Sequence, residues 1–218
     1  MALPLNVKLE LRAITKSHLK RESATRLAHR ALELDPRFGS VAALAGSCHQ
    51  LNVLFGYAND PQFDRKEAVR LFHLALSLDD GDPDTLAPAS AISAIMVGDL
   101  ESAIEMADWA VALNPNLYHA WASRGWAYKI AGLLEEAVRS FERAMRLSPV
   151  DPQLHTTLVG LGAAFIELGR FEEAIAAGKK ALRQSPSYRA AYRCLASASR
   201  TSDVTPRRVR RLLVSLRP

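Results

Sequence analysis

A chain of 218 residues is long enough for one or two ordinary domains or a single repeat array. With 49% apolar and 23% charged residues it is not a disordered chain, and no apolar run approaches the roughly 20 residues that span a bilayer. The net charge of +5 does not describe a uniformly basic, nucleic-acid-binding surface, because Arg207, Arg208, Arg210, Arg211 and Arg217, with no acid among them, account for all of it.

Taken in chain order, the elements are helical throughout. Residues 1–5 have neither a basic n-region nor a long apolar core, so no signal peptide is expected. A first helix is predicted near 5–17 and a second ending at Asp35–Pro36. A third lies near 39–51 and contains Ala45–Gly46. An insertion at 52–64 is predicted as a loop. It is followed by a helix carrying Ala68, Phe72 and Ala75, with Asp80 where the others have Pro. Apolar residues recur at helical spacing, as in Leu71, Ala75 and Leu78. No alternating run of β-branched residues between turn signals suggests a strand.

Four segments end alike, at Leu34–Asp35–Pro36, Leu113–Asn114–Pro115, Leu147–Ser148–Pro149 and Gln184–Ser185–Pro186. Proline after Asp, Asn or Ser ends a helix, because the preceding residue disfavours helical angles and Pro has no N–H. Between Pro115 and Pro149, a period of 34 residues, stand Trp121, Gly125, Tyr128, Gly132, Ala137, Phe141 and Ala144. This series resembles the tetratricopeptide repeat (TPR), with Arg124 where the pattern has Leu. Gly125 and Ala137 are small enough for close helix approach. Gly132 permits the left-handed turn that ends a first helix. Ala103, Ala110 and Pro115, with Gly98–Asp99 at the turn, continue the register upstream. Leu158, Leu161–Gly162, Phe165, Gly169, Ala174, Ala181 and Pro186 continue it downstream, with Gly178 in place of the aromatic.

The expected fold is therefore an all-α, right-handed solenoid of about five TPR helix pairs over 1–200. The repeats fall at 5–38, 39–83 (with the inserted loop 52–64), 84–117, 118–151 and 155–188, with a partial one at 189–200. Residues 201–218 are expected to form a basic amphipathic capping helix. There Thr205–Pro206 is a helix start, and Val209, Leu212, Leu213 and Leu216 make one apolar stripe. Three roles are open to this tail. Closing the last hydrophobic edge is favoured because it uses both faces. Contact with an anionic membrane surface or with nucleic acid or an acidic partner are the alternatives.

Within the TPR proteins the chain resembles the C-terminal repeat region of rhizobial-type class III adenylate cyclases and of related winged-helix regulators. The motifs are Leu9–Glu10–Leu11–Arg12–Ala13, Phe55–Gly56–Tyr57–Ala58–Asn59–Asp60–Pro61 before Glu67–Ala68, Leu113–Asn114–Pro115–Asn116–Leu117 with Ala120–Trp121 and Gly125–Trp126, Ala144–Met145–Arg146–Leu147–Ser148–Pro149, and Asp151–Pro152–Gln153. The catalytic carboxylates and the winged helix of those proteins are not expected in this chain.

The resemblance implies that the first helix of each repeat lines a concave face. It places Ala43, Ser47, Gln50, Pro88, Ile92, Ile95, Ala122, Trp126, Lys129, Val159, Ala163 and Ile166 there. The Lys and Asn of cochaperone repeats, which hold an acidic peptide terminus, are replaced by Ala43, Pro88, Ala122 and Val159 and by Ser47, Ile92, Trp126 and Ala163. A carboxylate clamp is thus not expected. Ile92, Ile95, Met96, Trp126, Lys129, Ile130, Val159 and Ile166 are the candidate partner-binding residues, receiving a protein or peptide; Trp126 and the isoleucines could equally be covered by neighbouring repeats.

Residue patterns that would carry catalysis or bind a metal are few. His18, His29, His49, His73, His119 and His155 form no short ligand motif, so neither a metal nor a cofactor is expected. Gly160–Leu161–Gly162 falls inside a helix and is no phosphate loop. Glu135–Glu136 and Glu172–Glu173 begin second helices, where acids suit the helix dipole. Cys48 and Cys194 read as buried small residues of a reducing compartment, and a cytoplasmic location is expected. The expected function is a non-enzymatic protein-interaction scaffold; the alternative is a regulatory module of a cyclase or winged-helix regulator.

Overall fold

The computed structural model describes residues 18–201, with side-chain surroundings for 24–200. The predicted helix near 5–17 and the basic tail lie outside the described residues. Ten helices follow one another: α1 (His18–Leu34), α2 (Gly39–Phe55), α3 (Pro61–Leu78), α4 (Pro83–Ile92), α5 (Leu100–Leu113), α6 (Tyr118–Ile130), α7 (Leu134–Leu147), α8 (Leu154–Glu167), α9 (Phe171–Gln184) and α10 (Arg189–Thr201). There is no strand among the described residues. Each of the pairs α2/α3, α4/α5, α6/α7 and α8/α9 packs most extensively within itself, and successive pairs stack into a right-handed solenoid.

Close approach within a pair comes from small residues. Ala137, Ala103, Ala174 and Ala68 are fully buried on the second helices. A Cβ on Gly125 would come within 2.5 Å of the Phe141 ring, so the glycine is the space into which that ring fits. Phe141 has no exposed surface and anchors a cluster with Tyr128, Val138, Leu161 and Phe165 that joins the third pair to the fourth. Burying such a side chain is worth about 1.5–3 kcal/mol. Tyr118 and Thr157, both buried, tie α6 to α8 through a 2.6 Å hydrogen bond.

Only residues 56–60 of the insertion at 52–64 form a loop. α2 runs on to Phe55 and α3 begins at Pro61, giving helices of 17 and 18 residues, against 13 or 14 in the two pairs that follow α5. Asp60 explains the early start. Its carboxylate accepts from the amides of Gln62 and Phe63, and Pro61 occupies the first helical position. The extra residues lengthen both helices and carry Phe55 beyond the edge of its repeat.

A second departure lies in α4. The turn that continues it, Ser93–Val97, is π-helical and is ended by Gly98 at φ 86°. Helix ends at Asp79 and Asn114 are 35 residues apart, whereas Asn114 and Ser148 are 34 apart. The wide turn absorbs the additional residue. Ser90, fully buried with its hydroxyl donating to the Ala103 carbonyl, takes the close-contact place that Gly125 holds one repeat later.

Candidate functional site

The first helices of the pairs line one concave face. Residues of α2, α4 and its π turn, α6 and α8, together with the start of α10, enclose a cavity of about 510 Å³, and no residue of α3, α5, α7 or α9 reaches it. Its wall is apolar: Leu44, Leu51, Ala87, Pro88, Ala91, Ile95, Ala122, Trp126, Ile130 and Val159. Asp84, His119, Gln153, Thr156 and Arg193 supply a few polar groups. An apolar concavity of this size with sparse polar groups is a usual form of ligand site. Its lining repeats about every 3.6 residues, through 119, 122, 126 and 130 on α6, so one stripe of each helix faces inward.

One edge of the groove is aromatic. Phe55, at the extended end of α2, meets Tyr188, just before α10, edge to face with ring centroids 5.5 Å apart. Tyr188 also stands edge to face with the buried His155 at 4.7 Å. The solenoid thus curls until its early and late repeats touch across the groove, forming a bowl. The lengthened α2 makes this contact possible.

Of the eight candidate partner-binding residues, Ile95, Trp126, Ile130 and Val159 lie on the cavity wall. Trp126 has two roles: half-buried, it lines the groove and packs edge to face on Phe141, with centroids 5.6 Å apart. The other four expected residues lie elsewhere. Ile92 has no exposed surface and packs with Ala68, Phe72, Ala89 and Met96, so neither Ile92 nor Met96 faces a partner. The π turn is the reason. Counting 34 residues back from Trp126 gives Ile92, but the added residue makes Ala91 the inward position. Lys129 is turned toward α8, where its Nζ lies 2.7 Å from Glu167. Ile166 packs against the cluster around Phe141. Ala43, also expected inside, is fully buried against Ala75, and Leu44 lines the groove instead.

Leu51, Ala91, Ser123, Phe55 and Tyr188 were not foreseen. The 3.6-residue spacing from Ser47 would have found Leu51; the aromatic pair joins segments 133 residues apart and leaves no local signal.

The remaining titratable groups are mostly accounted for. Glu136 pairs with Arg139, and Arg170 with both Glu135 and Glu173. Cys48 and Cys194 are both buried and form no disulfide with each other, and burial raises the Cys194 thiol to about 11. One cluster was not anticipated: His29 of α1, His49 of α2 and Glu67 of α3 bring an imidazole nitrogen each and a carboxylate oxygen to within 4.8 Å of one another. Burial, and next the neighbouring His49, hold His29 below the ordinary imidazole range.

The tetratricopeptide-repeat family model matches residues 89–152 and 157–196. Mouse tetratricopeptide repeat protein 33 is 33% identical over 87 residues, 40% of this chain, and the match spans a third (33%) of the mouse protein's length. The chain is also similar in structure to TTC0263, a thermophilic TPR protein of Thermus thermophilus, at TM-score 0.61 and 20% identity over 88% of this chain and 98% of that one. Against a human IFIT1 dimer with PPP-AAAA the TM-score is 0.70 at 15% identity, over 92% of this chain and 45% of IFIT1. YrrB, a TPR protein with an unusual peptide-binding site, gives 0.50 at 21% identity over 80% and 82%. Likenesses at these identities are likenesses of fold.

Proposed function

We propose that this array of tetratricopeptide repeats is a non-enzymatic scaffold whose concave bowl receives an apolar protein segment, a short helix or an extended peptide presenting two or three large side chains. The observation that carries this reading is the cavity itself: about 510 Å³, lined by the first helices of the pairs and the start of α10, with Trp126 and Ile95 on its wall. Aromatic groups half-sunk in a concave apolar wall are typical energetic anchors of interfaces. Among the described residues no ring of Lys and Asn lines the wall, so an apolar anchor rather than a terminal carboxylate is the feature recognised.

The alternative of a regulatory module of a cyclase or winged-helix regulator uses the same groove. It is favoured by one observation: Phe55, which opens one of the motifs carrying that resemblance, forms the bowl's aromatic edge against Tyr188. In that reading the received segment belongs to the regulated enzyme or its activator.

The test is selection from a displayed library of random peptides on the full chain. Selected peptides should share spaced large apolar residues. Ala122→Arg, which puts a long charged side chain into the groove from a half-buried position, should weaken them at least about tenfold with little change in the unfolding midpoint. Peptides rich in acidic termini, or binding indifferent to Ala122→Arg, would contradict the proposal.

A further inference from the structure

His49 is 5% exposed and Asp64 7%. Asp64 Oδ1 lies 2.5 Å from His49 Nδ1 and also accepts from the Asn52 amide at 3.4 Å. With Nδ1–H donating to the carboxylate, His49 presents Nε2 as a lone pair. That Nε2 lies 2.9 Å from Nε2 of His29, and the Glu67 carboxylate completes a triangle of donors within 4.8 Å. Three donors come from three different helices and converge on one point, while a buried carboxylate fixes the ring of the innermost one.

We propose that His29, His49 and Glu67 bind a divalent transition cation of the zinc class, with Asp64 as the residue that orients His49. The donor set, two imidazoles and a carboxylate, is one that zinc accepts with water in a further position. A carboxylate behind a ligating imidazole is the usual outer partner, fixing its tautomer and raising its basicity. Bonds of about 2.0–2.1 Å in tetrahedral arrangement need donors about 3.3 Å apart. The two imidazoles must therefore open by about 0.4 Å and Glu67 must move inward. Both are side-chain adjustments, since His29 and Glu67 are only partly buried.

Arg70 competes for Glu67, its Nε and Nη2 reaching the two oxygens at 2.9 and 2.6 Å. Its side chain is 58% exposed, so it can be released to solvent or keep one oxygen while the other binds. The cation would staple α1 onto the α2/α3 pair, so that one end of the array is held by coordination as well as by packing.

The experiment titrates Co²⁺ and Zn²⁺ into the full chain, reading the Co²⁺ ligand-field spectrum, Zn²⁺ affinity by calorimetry and the unfolding midpoint. The expected result is a single site of low coordination number. His29→Ala and Glu67→Gln should each weaken it at least about tenfold, while a His73→Ala control leaves it unchanged. Zn²⁺ should raise the unfolding midpoint of the parent and not of those two variants. Two variants on different helices keep the test readable should one fail to fold. Absence of the spectrum, or affinity that survives both substitutions, would overturn the proposal and leave Asp64, His49 and His29 as a hydrogen-bonded chain only.

Discussion

At Arg124 the leucine of the repeat pattern is replaced by a charge, yet the residue is three-quarters or more buried, with 21% of its side chain exposed. Its guanidinium donates to Asp108 at 2.6 Å, to the Ser140 hydroxyl at 2.8 Å and to the Tyr128 hydroxyl at 2.9 Å, and lies 4.2 Å over the Tyr128 ring. The Tyr128 hydroxyl in turn donates to Asp108. Burial first, and then its bond to Asp108, raise the Tyr128 phenol above its ordinary value. Each of the three guanidinium nitrogens has a partner, which is what makes the position tolerable. Arg124→Ala removes the ion pair to Asp108 and the bonds that the Ser140 and Tyr128 hydroxyls accept, and should cost about 1–3 kcal/mol in chemical denaturation, a cost to charged-group hydrogen bonds and packing together. Gly125→Ala should cost a similar amount, about 1–3 kcal/mol, because its methyl would meet a fully buried ring. Tyr118→Phe removes one buried inter-helix bond and should cost about 0.5–1.5 kcal/mol.

The elements themselves were legible where periodicity and stop signals agree. Pro115, Pro149 and Pro186 mark helix ends because no helix continues through them, and Gly132 and Gly169 take up positive φ as the turn between paired helices requires. Two things were hidden. The added residue of α4 could not be located, because a π turn has no sequence signature of its own and the glycine at its end keeps the ordinary register. The helical nature of residues 52–55 and 61–64 was masked by Gly56, which read as the middle of a loop rather than as the cap of a long helix. The corrected register makes a sharp prediction. Ile92→Ala should lower stability by about 2–5 kcal/mol, as for other fully buried residues. Ile95→Ala, on the groove wall, should cost much less stability and reduce binding of a selected peptide. Equal effects on stability would show that α4 is rotated from the position described. Asp99 offers a pH test at the start of α5. It caps the helix through the Ser102 amide and hydroxyl, and these bonds hold its carboxyl below the ordinary range. A depressed folded value means the contribution is present above the ordinary carboxylate pKa and is lost as pH falls through the folded one. Asp99→Asn keeps a capping oxygen without the titration. The parent should therefore lose stability relative to this variant only in the acid range, below about pH 4, as read from unfolding midpoints.

At the scale of the whole molecule, the repeat architecture was readable because each unit repeats its own packing rule, whereas contacts between distant units were not. The Phe55–Tyr188 edge and the His29, His49 and Glu67 cluster both join residues from separate helices, and neither spacing belongs to a local motif. The candidate groove was accordingly half legible: its location on the first helices followed from the family resemblance, but its members depended on the π turn and on curvature. Phe55→Ala should leave the individual pairs intact, with an unfolding midpoint near the parent's, while widening the bowl; small-angle scattering should show a larger radius of gyration, and an unchanged value would mean that the edge does not hold the curl. The central claim is that the bowl receives the partner, and Trp126 reports on it directly. Trp109 is 58% exposed on α5 and Trp121 donates its indole to the Pro115 carbonyl, so Trp109→Phe with Trp121→Phe leaves Trp126 as the single fluorophore. Acrylamide quenching of that variant, measured with and without a saturating selected peptide, decides the matter. Protection of Trp126 on binding is the predicted result; saturable binding with quenching unchanged would place the partner elsewhere and contradict the account.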